Sequence, residues 1–157
     1  MKSANHANII EVLGRNHLIA QLIQDDVHAA IPLWDKGIDL VAYFGDATGL
    51  CARGIQLKAN EDSRFGLHRK YDGVSGLPMV YVWYVKDSQA FEIYAMTYAM
   101  TYSEAFAVLE ERGHTLTKSW TKDKGGYTLP SVKNELRERL QPYRMRPGLW
   151  RDRLVRL

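Results

Sequence analysis

Cysteine is almost missing from this chain: Cys51 is the single one in 157 residues. No disulfide can form within the chain, so a disulfide-framed secreted domain is excluded and a reducing compartment is expected. Long apolar runs are missing too. No stretch approaches the roughly 20 residues needed to span a bilayer, and the first residues carry no basic-then-apolar leader pattern. The expectation is a soluble, cytoplasmic protein. No linker-like segment divides the chain. The tetrapeptide Tyr94-Ala-Met-Thr97 recurs at once as Tyr98-Ala-Met-Thr101, but four residues twice is too short for a repeat architecture. His6 and His17 lack the acidic or Cys pattern of a zinc site.

Aromatics, by contrast, are plentiful, with nine Tyr and four Trp. The length suits one domain over residues 1–157 with a real core. The net charge of +3 is unevenly spread. Residues 1–130 hold 13 Lys/Arg against 15 Asp/Glu, whereas residues 131–157 hold 8 against 3. A basic extension of net +5 over 131–157 fits a polyanionic partner, and it equally fits a solvated helix face with a frayed end.

Apolar residues at Ile9, Val12, Leu13, Ile19, Ala20 and Ile23 follow helical spacing from about Ala7 to Gln24. Asp25-Asp26 breaks it. Val27–Leu33, Ile38–Phe44 and Ala52–Lys58 read as strands. The polar, basic stretch Asn60–Tyr71 reads as a helix, and Gly73, Gly76 and Pro78 mark a loop. Met79–Val85 is apolar on both faces, as a central strand should be. Phe91–Met96 is a further strand. Ser103 is placed to cap a helix running to Arg112, with Gly113 in its stop position. Thr115–Leu129 reads as a hairpin, and Val132–Leu140 as a last helix. The fold class expected is α/β, a mixed central sheet flanked by helices with a C-terminal hairpin and helix.

The segment from Gly37 to Lys58 holds the strongest chemical signal: G-I-D-L-V-A-Y-F, a turn, then C-A-R-G-I-Q-L-K. Residues two apart on a strand point to one face. Gln56 and Lys58 therefore share a face, and a hairpin brings Asp39 beside them. A carboxylate, an amide and an ammonium together can hold Mg²⁺ and a phosphodiester. The bland alternative is that Asp39 caps a strand while Gln56 and Lys58 face solvent.

This element order, with Asp39 and the Gln-x-Lys of Gln56 and Lys58, resembles the PD-(D/E)XK nuclease superfamily, the restriction-endonuclease-like enzymes. The resemblance implies an αβββαβ core over about residues 6–97. Asp39 matches the family's metal-ligand Asp and Lys58 its motif lysine. Gln56 stands where Glu or Asp is usual, and Ile38 where Pro is usual. A Q-x-K pattern is similar to that of certain homing enzymes in this superfamily. Many members place a Glu on the first helix, and Glu11 is the acidic residue available there.

The implied activity is endonucleolytic hydrolysis of DNA with Mg²⁺ (or Mn²⁺), catalysed through Asp39, Gln56, Lys58 and Glu11. A hard divalent cation takes oxygen ligands. These would come from Asp39, the Gln56 amide, the Leu57 carbonyl and Glu11. Lys58 would orient or deprotonate the attacking water, or offset charge in the transition state. Replacing Glu by Gln removes a negative charge, which leaves an inactive module binding nucleic acid or a protein partner as the alternative. A homodimer suits cutting of both strands, and RNA remains open beside DNA as substrate. Arg64, His68, Arg69 and Lys70 on the expected second helix, with Lys122 and Lys124 at the hairpin tip, are the expected phosphate contacts; a merely solvated charged face fits them equally.

Overall fold

The computed structural model describes residues 4–34, 37–74, 76–111 and 125–157. Among these, six strands form a mixed sheet in the order β1-β2-β3-β5-β6-β8. The strands are β1 (His28–Ala30), β2 (Leu40–Asp46), β3 (Gly49–Ala59), β5 (Pro78–Trp83), β6 (Glu92–Thr97) and β8 (Arg144–Met145). β1, β2 and β3 form an antiparallel meander; β5 then runs parallel to β3, and β6 and β8 are again antiparallel. A separate two-stranded sheet pairs β4 (Phe65–His68) with β7 (Gly126–Leu129).

The alternation of side chains along the strands sets two apolar layers. On one face, Leu40, Ala42, Phe44, Ile55, Leu57, Val80 and Val82 pack beneath helix α1 (Ala4–Gln24) and helix α4 (Trp150–Arg156). α1 turns Ile10, Leu18 and Leu22 inward. A Cβ at Gly14 would run into the Ala59 side chain, so the glycine lets α1 lie close against β3. Past Gln24, Asp26 adopts a left-handed φ of 52° and the Val27 N–H reaches back to the Leu22 carbonyl at 2.9 Å, closing the helix end.

On the other face, Met79, Tyr81, Trp83, Tyr94 and Met96 pack against the β4–β7 sheet, helix α2 (Tyr98–Glu111) and helix α3 (Asn134–Leu140). Every residue of β5 is buried, which is what its two-faced apolar run predicted. Full burial of each such side chain stabilises the fold by about 1.5–3 kcal/mol.

Three expectations are corrected. Asn60–Tyr71 is not a helix: it holds β4 and a 3-10 turn at Arg69–Tyr71. Phe65 and Leu67, two apart, both enter the core, and Phe65 stacks on Tyr81 at 4.4 Å. The Trp83 indole N–H donates to the Arg64 carbonyl at 2.8 Å and the Tyr81 hydroxyl to the Gly66 carbonyl at 3.0 Å. A helix would forfeit these bonds and carry Gly66 at a cost of about 1 kcal/mol. Second, α2 starts at Tyr98, because the Thr97 hydroxyl, not that of Ser103, accepts the N–H of Met100 at 3.3 Å. Ser103 lies inside the helix and donates to the Met100 carbonyl at 3.0 Å.

The third concerns the basic C-terminal extension, which is built into the fold rather than frayed. β8 adds to the edge of the sheet, and α4 buries Trp150 and Leu154. The Trp150 indole N–H donates to the Gln21 amide oxygen at 3.0 Å, and Asp25 accepts the N–H groups of Gly148 and Trp150 at 2.5 and 2.8 Å. Most of the expected hairpin over Thr115–Leu129, with Lys122 and Lys124, lies outside the described residues; its described end is β7, which pairs with β4. Among the described residues no helix is long and apolar enough to cross a membrane.

Candidate active site

The site begins where the chain enters β2. Gly37 takes a left-handed φ of 89°, and a Cβ there would lie 3.6 Å from the Gln56 amide oxygen and 3.8 Å from the Tyr71 ring. Glycine is thus favoured by the backbone, while the space would admit a Cβ in ordinary contact. Ile38 packs over Gly54, whose missing side chain makes the room. The Asp39 N–H then joins the Ile55 carbonyl at 2.8 Å, one step ahead of the Leu40–Ile55 pair of the ladder. That register sets Asp39 opposite the Gln56 end of β3.

Among the described residues, two donors meet the carboxylate of half-buried Asp39. Its Oδ2 accepts the Leu57 backbone N–H at 2.6 Å and the Gln56 Nε2. The same Nε2 lies 3.3 Å from the Leu57 carbonyl oxygen. On the far side of the amide, Gln56 Oε1 accepts the Tyr71 hydroxyl at 2.8 Å. Gln56 and Tyr71 are both buried. Lys58, two residues on and half-buried, shares the Gln56 face, with its Nζ 5.7 Å from the Tyr71 ring centre. Lys70 approaches that ring to 4.8 Å. Beside the cluster opens a cavity of about 390 Å³ lined by Gly37, Ile38, Lys70, Tyr71, Val74 and Leu77.

The loop carrying Lys70 and Tyr71 is fixed from below. The Tyr98 hydroxyl sits between the His68 carbonyl at 2.9 Å and the Asp72 carboxylate at 2.8 Å, and Tyr98 meets the Tyr71 ring edge-on at 5.7 Å. The imidazole of His68 is held below its ordinary pKa, first by burial and then by the charges of Lys58 and Lys70. Asp39 therefore lies in a neighbourhood that carries the positive charges of Lys58 and Lys70.

The structure brings Asp39, Gln56, the Leu57 backbone and Lys58 together. It does not bring in Glu11, which is exposed on α1 and pairs with Arg15 at 2.5 Å. α1 covers the Leu57 face of the sheet, opposite the Gln56 face. The Gln56 amide presents its nitrogen rather than its oxygen to Asp39, because a carboxylate only accepts hydrogen bonds. Of the expected phosphate contacts, Arg64 pairs with Asp62 at 3.2 Å and Arg69 with Asp72 at 3.3 Å, while Lys70 is exposed at the cavity. His68 ends β4 rather than lying one helical turn from Arg64.

Tyr71 is the site residue that sequence reasoning missed. Its one signal was an aromatic closing a polar, basic stretch. Among the described residues, no three His, Cys, Asp or Glu side chains gather to hold a metal ion. Asp39 is the charged oxygen that the described residues offer beside Gln56 and the Leu57 carbonyl. Comparison with family models, curated proteins and solved structures gave no match.

Proposed function

We propose that this chain is a metal-dependent endonuclease that hydrolyses DNA phosphodiester bonds, on a restriction-endonuclease-like core. The observation that carries the reading is that one nitrogen, Gln56 Nε2, reaches both Asp39 Oδ2 and the Leu57 carbonyl oxygen, on the sheet face that also bears Lys58. Two oxygens that face one nitrogen are the candidate oxygen ligands, and a cation would draw them together once that nitrogen is displaced. The residues present thus fit a hard ion: Asp39 and the Leu57 carbonyl would hold Mg²⁺ (or Mn²⁺), with substrate oxygens and water completing the shell. The antiparallel β1–β2–β3 meander followed by the parallel β3–β5 pair supports the proposed core, although β4 and the 3-10 turn at Arg69–Tyr71 stand where the expected αβββαβ order has its second helix.

A bound divalent ion supplies Lewis-acid polarisation of the phosphoryl oxygen and charge neutralisation. The chain's own residues do the rest. Asp39 fixes the position of the scissile group against the sheet. Lys58 orients the attacking water or stabilises charge gathering on the phosphoryl oxygens. Lys70, with Lys58, gives the approach a positive potential for the nucleic-acid backbone. A second basic concavity, of about 580 Å³, is lined by Arg144, Arg146 and Arg153 with Gln141, Pro142, Met145 and Leu149. It offers further backbone contacts. Two-fold pairing of chains would present two such sites to the two strands of a duplex.

A second reading is favoured by the same amide. With its nitrogen already bonded to Asp39 and Leu57, the site is satisfied without a cation, as a non-catalytic module that binds nucleic acid would be. The two part in one experiment: nicking and linearisation of supercoiled plasmid under Mg²⁺ and Mn²⁺, alongside anisotropy binding to linear and branched DNA and to RNA. Cleavage is expected. Binding without cleavage on every substrate transfers the function to the second reading, and neither binding nor cleavage removes nucleic acid as the partner.

A further inference from the structure

We infer that Gln56 is a latch on the cation site rather than one of its ligands, and that Tyr71 is the positioning residue that sets the latch. The inference rests on the reading that Asp39 and the Leu57 carbonyl are the cation's oxygens.

Both donors of the amide are committed in one orientation. A carboxamide has two N–H donors and one carbonyl acceptor. One donor goes to Asp39 Oδ2 and the other lies 3.3 Å from the Leu57 carbonyl, while Oε1 takes the Tyr71 hydroxyl at 2.8 Å. The NH₂ group, carrying partial positive charge, faces the same two oxygens that a cation here would need. Turning the amide over would set Oε1 against the Asp39 carboxylate, two acceptors facing each other in a buried setting where such a clash is costly.

Tyr71 makes that orientation persistent. It is buried, packed edge-on to Tyr98 at 5.7 Å, and flanked by Lys58 and Lys70. Its hydroxyl donates to Oε1, which complements the orientation that the acceptor-only Asp39 carboxylate selects and holds the amide in it. A cation entering the site must first displace Nε2 from both oxygens. One of these bonds is charge-assisted, and charge-assisted bonds are the stronger kind.

Mn²⁺ titration by calorimetry tests the latch on the wild type, Gln56→Met, Gln56→Glu and Tyr71→Phe, with ¹H–¹⁵N spectra of the Gln56 side-chain amide in the wild type. Methionine nearly conserves length and lacks N–H groups. Mn²⁺ should bind Gln56→Met about tenfold tighter than wild type, the factor that corresponds to losing one competing bond to a charged group. Tyr71→Phe should tighten binding by a smaller factor, and Gln56→Glu should tighten it most because it also adds a charge. The wild-type amide protons should be protected from exchange. A ligand role predicts the reverse for Gln56→Met, and weaker binding there while Gln56→Glu still binds would overturn the latch alone. Rapidly exchanging Gln56 amide protons would also overturn it, whether or not the variants fold. Absence of Mn²⁺ binding in all four proteins would remove the cation site itself, and the latch with it. Cleavage is not read in any arm, so a protein that is latched but inert is recognised as such.

Discussion

Replacing Asp39 separates its structural work from its chemistry. Asp39→Ala takes the acceptor away from two donors, the Leu57 N–H and the Gln56 Nε2. A buried donor left unpaired costs about 1–3 kcal/mol. Nε2 keeps the Leu57 carbonyl, and water can reach the half-buried Asp39 side, so the loss should total about 2–3 kcal/mol. For a domain of this size that is a fall in Tm of roughly 4–12 °C. Asp39→Asn conserves volume and keeps one acceptor oxygen toward both donors; its cost should be about 1 kcal/mol or less, the loss of charge assistance. Urea and thermal unfolding followed by circular dichroism would measure both. Equal destabilisation by Ala and Asn, or none by Ala, would refute the account of how Asp39 is held. If the difference appears, Asp39→Asn becomes a folded protein in which loss of cleavage reports chemistry.

The remaining predictions concern the surroundings. Because the folded-state pKa of His68 lies below its ordinary 6.5, the unfolded chain takes up a proton first; His68's contribution is complete above about pH 6.5 and is lost as pH falls through that value toward the lower folded one. Unfolding titrations should show this slope, and His68→Gln should flatten it; an unchanged slope contradicts the burial of the imidazole beside Lys58 and Lys70. Trp150→Ala should cost about 3–5 kcal/mol in urea unfolding, as an aromatic deletion in the core does; a loss under 1 kcal/mol would mean that α4 does not hold the fold. Arg146→Gln should reduce the log–log salt slope of duplex DNA binding by about 0.9 if that side chain neutralises one phosphate. An unchanged slope places the backbone elsewhere.

The strand alternation made much of the site legible. Asp39, Gln56 and Lys58 could be placed on one face because the period of two is strict and the intervening turn is short. The two-faced apolar run of β5 was equally readable. What escaped was decided by distant partners. β4 looks helical until β7, far along the chain, supplies its ladder and Tyr81 and Trp83 bind its carbonyls. The identical tetrapeptides beginning at Tyr94 and Tyr98 are strand and helix in turn. Local preference cannot tell them apart; the pairing of the first with β5 and the Thr97 cap of the second do so. Glu11 was the acidic residue at hand on the first helix, but helix rotation is set by the Ile10, Leu18 and Leu22 stripe, which leaves Glu11 exposed. Tyr71 could not be found from sequence, because its role depends on the hydroxyl of a 3-10 turn meeting an amide of β3.

The most direct test of the central claim is a crystal structure of the protein soaked in Mn²⁺, read by anomalous scattering. A peak bonded to the Asp39 carboxylate and the Leu57 carbonyl is expected, with the Gln56 nitrogen displaced from both and Lys58 facing a bound water. An empty Asp39 site at saturating Mn²⁺, with Gln56 Nε2 still bridging the two oxygens, would contradict it.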